Sequence, residues 1–148
     1  MYKIHIISIG KNKEKWLKEA LLEYQKRLSS IATLYFDFVK DNEALLEKVS
    51  KEKNVIALDM EGESFSSEDF SKKMLSLLEK GGSQLTLVIG GVEGLPEPLQ
   101  KLPLISLSKM TFTHQMCRLI LVEQLYRAFL IDQKSAYHTS RIKEPLRS

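Results

Sequence analysis

The chain has a single cysteine, Cys117, in 148 residues, which excludes an intrachain disulfide and a cysteine-based zinc site. Its three histidines, His5, His114 and His138, lack the spacing of metal ligands, so no metal is expected. The one apolar run near the N-terminus, residues 4–9, is broken by His5 and Ser8 and followed by Lys11, Lys13 and Lys15. It reads as neither a signal peptide nor a membrane span, and a cytoplasmic protein without a membrane partner is the expectation. Repeats, low-complexity tracts and linkers are missing, which leaves one domain over 1–148. Standard phosphate and nucleophile signatures are missing too. Gly90-Gly91-Val92-Glu93-Gly94 is not G-x-G-x-x-G, Gly10-Lys11-Asn12 has neither the upstream glycine nor the hydroxyl of a P-loop, and no G-x-S-x-G occurs.

Excess charge is also scarce. A formal net charge of +3 gives a weak overall field for nucleic acid, but the distribution is uneven. Lys11, Lys13, Lys15 and Lys18 cluster near the start, and after Asp132 come Lys134, Arg141, Lys143 and Arg147 against Glu144 alone. Two readings stay open: solvated surface, or surface facing phosphate. An apolar content of 43% with 28% charged residues is that of an ordinary globular domain, long enough to bury about two thirds of its unfolded surface.

Strand and helix patterns alternate along the chain. Strands are expected over 2–9, 34–39, 55–60, 85–89 and 105–108, with Gly62 marking the turn after the third. Helices are expected over 14–28, 42–50 with Asn42 as N-cap, 66–80 with Ser66 as cap and Gly81-Gly82 as stop, and 113–131. Several apolar strands in strand–helix alternation imply an α/β fold, a parallel sheet covered on both faces.

Residues 85–127 carry the most information. The run Leu85-Thr86-Leu87-Val88-Ile89 stops at Gly90-Gly91, with Gly94 beyond. Adjacent glycines at a strand end let a backbone or a ligand come close. Ligands of parallel sheets bind beyond the carboxyl ends of strands, so this is a candidate cofactor site. Asp59, at the end of the third strand, suits a ribose hydroxyl or the cap of a turn. In the last helix Met116, Leu119, Ile120, Val122, Leu125, Tyr126, Phe129 and Leu130 cover far more than one stripe, so it is buried on more than one side, with a second subunit as the expected cover. His114 and Arg118, four apart on its least apolar face, and the pair Glu123 and Arg127 read as a solvated or interfacial face or as functional groups.

The residues Ile9-Gly10-Lys11, Trp16, Tyr24, Leu58-Asp59, Gly62, Val88-Ile89-Gly90-Gly91, Gly94 and Leu107-Ser108-Lys109-Met110-Thr111-Phe112 occur in a fixed order. They are followed by His114, Arg118, Glu123-Gln124, Tyr126-Arg127-Ala128 and Tyr137-His138. In these matches, over nearly its full length, the chain resembles the RlmH family of SPOUT-superfamily methyltransferases, which methylate N3 of a pseudouridine in large-subunit ribosomal RNA.

The resemblance implies a three-layer SPOUT fold with a C-terminal trefoil knot, an arrangement that fold rules alone disfavour. It implies a homodimer, S-adenosylmethionine as methyl donor, and ribosomal RNA in assembled ribosomes as substrate. Carried over by position, Leu58, Gly90, Leu107, Ser108, Lys109, Met110, Thr111 and Phe112 line the donor pocket between the loops after the third, fourth and fifth strands. His138 is the candidate base, because its pKa lies near neutrality; Tyr137 would stack on the target base and Arg118 stabilise negative charge or hold phosphate. Two positions depart from the pattern: Thr113 stands where the family usually has proline, and Thr139 follows Tyr137-His138 where a basic residue is usual. The alternatives are a SPOUT methyltransferase of another RNA, such as transfer RNA, and a non-catalytic ribosome-associated RNA-binding protein.

Overall fold

In a computed structural model, which describes residues 1–133, five parallel strands form one sheet between helical layers. The strands are β1 (Tyr2–Ile9), β2 (Ala32–Val39), β3 (Val55–Ser64), β4 (Gln84–Ile89) and β5 (Leu104–Ser106). The helices are α1 (Lys15–Leu28), α2 (Asn42–Ser50), α3 (Ser67–Lys80) and α4 (His114–Asp132), with a short 3-10 helix at Glu97–Lys101. Strand order is β2-β1-β4-β3-β5. Because every pairing is parallel, all carboxyl ends share one edge of the sheet, where such folds bind ligands.

Side-chain alternation along the strands feeds two cores. Ile4 and Ile6 of β1, Ile56, Leu85, Leu87 and Ile105 pack with Leu17 and Leu21 of α1, Met74 of α3, and Leu121 and Leu125 of α4. On the opposite face Ile7, Ala57 and Val88 meet Leu45 and Val49 of α2 and Leu99 of the 3-10 helix. A strand buried on both faces reads as a continuous apolar run, which is why β1 and β4 stood out in the sequence.

The helix signals act largely as expected. Ser66 Oγ accepts from Asp69 N–H at 3.1 Å, with Glu68 and Asp69 in the first turn of α3 where the helix dipole favours them. At α2 the cap is Asp41, not Asn42: its carboxylate accepts from Ala44 N–H at 2.8 Å. Thr113, in place of the usual proline, caps α4 by accepting from Met116 N–H at 3.1 Å. His5 is buried, bonded to Glu52 and Asp37 and stacked on Tyr35.

One strand differs in a way that shapes the site. β3 does not turn at Gly62 but runs on to Ser64, pairing with β5 on both sides of a register shift between Leu58 and Glu63. The residues between bulge out of the ladder. A Cβ at Gly62 would sit 2.6 Å from the Ile105 backbone, so glycine there answers to the close approach of β5 rather than to a turn.

Candidate methyl-donor site

The bulge of β3, the carboxyl ends of β4 and β5 and the start of α4 enclose a cleft of about 380 Å3, within the usual range of small-molecule sites, about 300–1,000 Å3. The β3 bulge supplies one wall, Asp59, Met60 and Glu61, and the loop after β4 a second, Gly90, Gly91 and Gly94. The segment after β5 supplies a third, from Ser106 to Phe112, and His114 and Cys117 close the base. Of the residues singled out for the donor, Leu58, Gly90, Leu107, Ser108, Met110, Thr111 and Phe112 border this cleft. Lys109 does not, and is exposed.

The glycine loop is tight because it folds on itself. Gly94 N–H donates to the Gly91 carbonyl at 3.0 Å, and a Cβ on Gly90 would lie 2.8 Å from the Gly94 carbonyl carbon. The space next to Gly90 is therefore filled by the chain's own backbone. Asp59 turns its carboxylate onto Glu61 N–H at 2.9 Å, fixing the bulge while bordering the cleft. Of the two uses foreseen for Asp59, this bond is the capping one.

Electrostatically the cleft is one-sided. Among the described residues its walls carry the carboxylates of Asp59 and Glu61 and no Lys or Arg. Burial, then the nearby Arg118 charge, lowers the His114 pKa from its usual 6.5, so the imidazole is neutral at pH 7. Burial raises the Cys117 thiol pKa, which keeps it protonated.

Arg118 itself corrects the sequence reading. It is fully buried rather than on a solvated or interfacial face. Its Nε donates to Ser8 Oγ at 2.8 Å, and one terminal nitrogen donates to the carbonyls of Ile9 and Gly10 at 2.7 Å each. The other reaches the Lys11 carbonyl at 3.4 Å, and the Phe38 ring lies 4.5 Å below the guanidinium carbon. Burial lowers its pKa to about 10, which still leaves it charged. The guanidinium holds the end of β1 and does not border the cleft. The contact that sequence reasoning missed is His114 against Gly10: a Cβ on Gly10, whose φ is +96°, would lie 2.9 Å from His114 Nε2. Their separation of over a hundred residues gives no local signal. Tyr137 and His138 lie outside the described residues. No described helix is long and apolar enough to cross a membrane.

A family model described as "Predicted SPOUT methyltransferase" matches residues 2–138. The chain is 51% identical over 139 residues to the ribosomal RNA large subunit methyltransferase H of Protochlamydia amoebophila, covering 93% of this chain and 99% of that protein. It is 41% identical over 157 residues to the protein of the same name from Ruminiclostridium cellulolyticum, covering 92% and 99%. In fold it is similar to the crystal structure of TrmJ from Z. mobilis ZM4, with a TM-score of 0.52, 9% identity, and coverage of 100% of this chain and 73% of that one. With this family match, these full-length relatives and this parallel sheet, the chain belongs to the SPOUT methyltransferases, in the family of the ribosomal RNA large subunit methyltransferases H.

Proposed function

We propose that the protein transfers a methyl group from S-adenosylmethionine to N3 of a pseudouridine in large-subunit ribosomal RNA, acting as a homodimer on assembled ribosomes in the cytoplasm. The observation that carries the donor is the charge of the cleft: among the described residues two carboxylates, a neutral imidazole and no cationic side chain border it. Such a site suits a ligand with a positive charge, whereas a Lys or Arg in the wall would repel it. The apolar side chains of Leu58, Leu107 and Phe112 suit the faces of an adenine, and the backbone of 107–112 its polar edge. The carboxylate of Asp59 or Glu61 suits a ribose diol.

When bound, the donor supplies a methyl on a sulfonium, whose carbon–sulfur bond breaks as the new carbon–nitrogen bond forms. The chain's task is to hold the two reactants in line and to take the proton of N3. That imide is weakly acidic, so a modest base is enough. We assign this role to His138, with Tyr137 stacked on the base, on the strength of the family pattern. Arg118 acts at one remove, by fixing the loop after β1. The substrate is carried by the names of the full-length relatives, which are ribosomal RNA large subunit methyltransferases.

Calorimetry with S-adenosylmethionine, and mass spectrometry of ribosomal RNA from cells lacking the protein, test the two halves of this reading. Binding of the donor without added metal, and loss of one methylated pseudouridine, are the expected results. Absence of any binding heat for the donor or its demethylated product would overturn the donor assignment. An unchanged ribosomal RNA beside a lost methyl group in transfer RNA would move the substrate.

A further inference from the structure

The four lysines of residues 11–18 take no part in the donor cleft, yet their segment abuts it. Lys11, Lys13, Lys15 and Lys18 are all exposed. The ion pair seen among them is Lys15 with Glu19 at 3.9 Å, with side chains 89% and 67% exposed, a geometry that contributes little. Between them Trp16 leaves half its surface in solvent, while its neighbour Leu17 is fully buried and anchors the helix. A tryptophan held half-exposed on a lysine-rich surface is costly to leave in water and is the side chain on which unpaired bases stack.

This segment is also unusually well fixed for a loop. Arg118 binds three successive carbonyls, those of Ile9, Gly10 and Lys11, and His114 packs on Gly10. His114 is itself part of the cleft wall. Lys11 therefore sits one residue from a glycine that lies behind the cleft wall, against His114. The one carboxylate within the segment, Glu14 at the N-cap of α1, makes no cap bond to the helix, and four exposed lysines stand against it.

We propose that residues 11–18 form the RNA-gripping surface beside the donor cleft, with Lys11, Lys13, Lys15 and Lys18 on phosphates and Trp16 stacked on an unpaired base. This rests on the RNA methyltransferase reading above and names the surface that would serve it.

The test compares wild-type protein with four variants, using ribosomes as methyl acceptor and calorimetry for donor binding. In Lys11→Glu/Lys13→Glu/Lys15→Glu, KM for ribosomes rises tenfold or more, and the slope of log affinity against log salt falls by about one per lysine removed. Donor affinity is unchanged. Trp16→Ala raises KM about tenfold with the salt slope intact, and Trp16→Phe restores most of it. Lys3→Glu/Lys53→Glu/Lys80→Glu carries the same charge change at the opposite edge of the sheet and leaves KM within twofold. Equal losses in both triple variants, or an unchanged KM in the first, would overturn the proposal while leaving the enzymatic reading intact. A wild-type protein that binds donor but methylates no RNA would remove the reading and the proposal together.

Discussion

The guanidinium of Arg118 and the carbonyl of Gly10 lie 2.7 Å apart although 108 positions separate them in the chain. The bond ties the last helix to the end of the first strand, and through Gly10 it sets the position of His114 at the base of the cleft. A buried cation that satisfies several carbonyls stabilises its surroundings only while every partner is present.

Arg118→Met should therefore be destabilising well beyond its loss of volume. It leaves the Ile9 and Gly10 carbonyls and the Ser8 hydroxyl without their donor, at about 3 kcal/mol in total. For a chain of this size that lowers Tm by roughly 6–12 °C. Thermal unfolding by circular dichroism measures it. A loss of 2 °C or less would mean that water replaces the guanidinium at little cost.

Gly90→Ala tests the folded-back loop. The added methyl meets the Gly94 backbone, and overpacking of this kind costs about 1–3 kcal/mol. The loop shifts rather than the sheet, because Gly90 lies past the end of β4. Donor affinity by calorimetry should drop about five- to a hundredfold, with the far-ultraviolet spectrum unchanged. An unaltered affinity would show that the Gly91–Gly94 turn does not shape the cleft.

His114 gives a pH dependence with a definite sign. Its pKa is lower in the folded chain than the ordinary 6.5. Between those two values the unfolded chain holds more protons, so this contribution to stability is complete above pH 6.5 and is lost as the pH falls through the folded value. Protonation also places a cation in a cleft whose described walls otherwise have none. As pH falls below 6.5, binding of S-adenosylmethionine should weaken relative to its uncharged-sulfur product. In His114→Gln the ratio of the two affinities should stay flat from pH 7.5 to 5.5. A falling ratio in that variant would assign the titration to another group.

The alternation of strands and helices was legible because buried strands here are runs of branched apolar residues and helix starts carry capping hydroxyls, as at Ser66. The cleft was legible in part, since the glycines after β4 mark a strand end, while residues 107–112 were placed at it by the family resemblance. The β3 bulge was not: Asp59, Met60, Glu61 and Gly62 have the composition of a turn, and only pairing with β5 makes them a cleft wall. Nor was the burial of Arg118, since helical periodicity counts any arginine as surface. Its partners are backbone carbonyls, which no sequence pattern shows.

α4 is apolar around most of its circumference, yet Met116, Ile120 and Leu130 remain only partly covered. A closed two-fold dimer would complete the cover. Light scattering at micromolar concentration should give twice the 17.0 kDa chain mass, and Ile120→Glu should shift the species toward one chain mass. A wild-type protein that scatters as a monomer would contradict the dimer.

The choice of substrate follows from how little recognition this chain offers. Affinity for RNA comes mainly from Lys and Arg on phosphates and weakens steeply with salt. A net charge of +3, even with four lysines gathered at residues 11–18, is a modest means of holding free RNA. Choosing one nucleotide by its base edges takes a dedicated set of side chains around an unstacked base, and Trp16 is one aromatic platform. A small enzyme so equipped gains selectivity by reading the shape of a larger assembly. We therefore expect efficient methyl transfer to intact ribosomes and at least a hundredfold slower transfer to protein-free ribosomal RNA, measured as tritiated methyl incorporation at near-physiological salt. The gap should narrow at low salt, where phosphate contacts strengthen for both substrates but the naked RNA has more to gain. Equal rates at near-physiological salt would mean that the chain carries sequence recognition of its own.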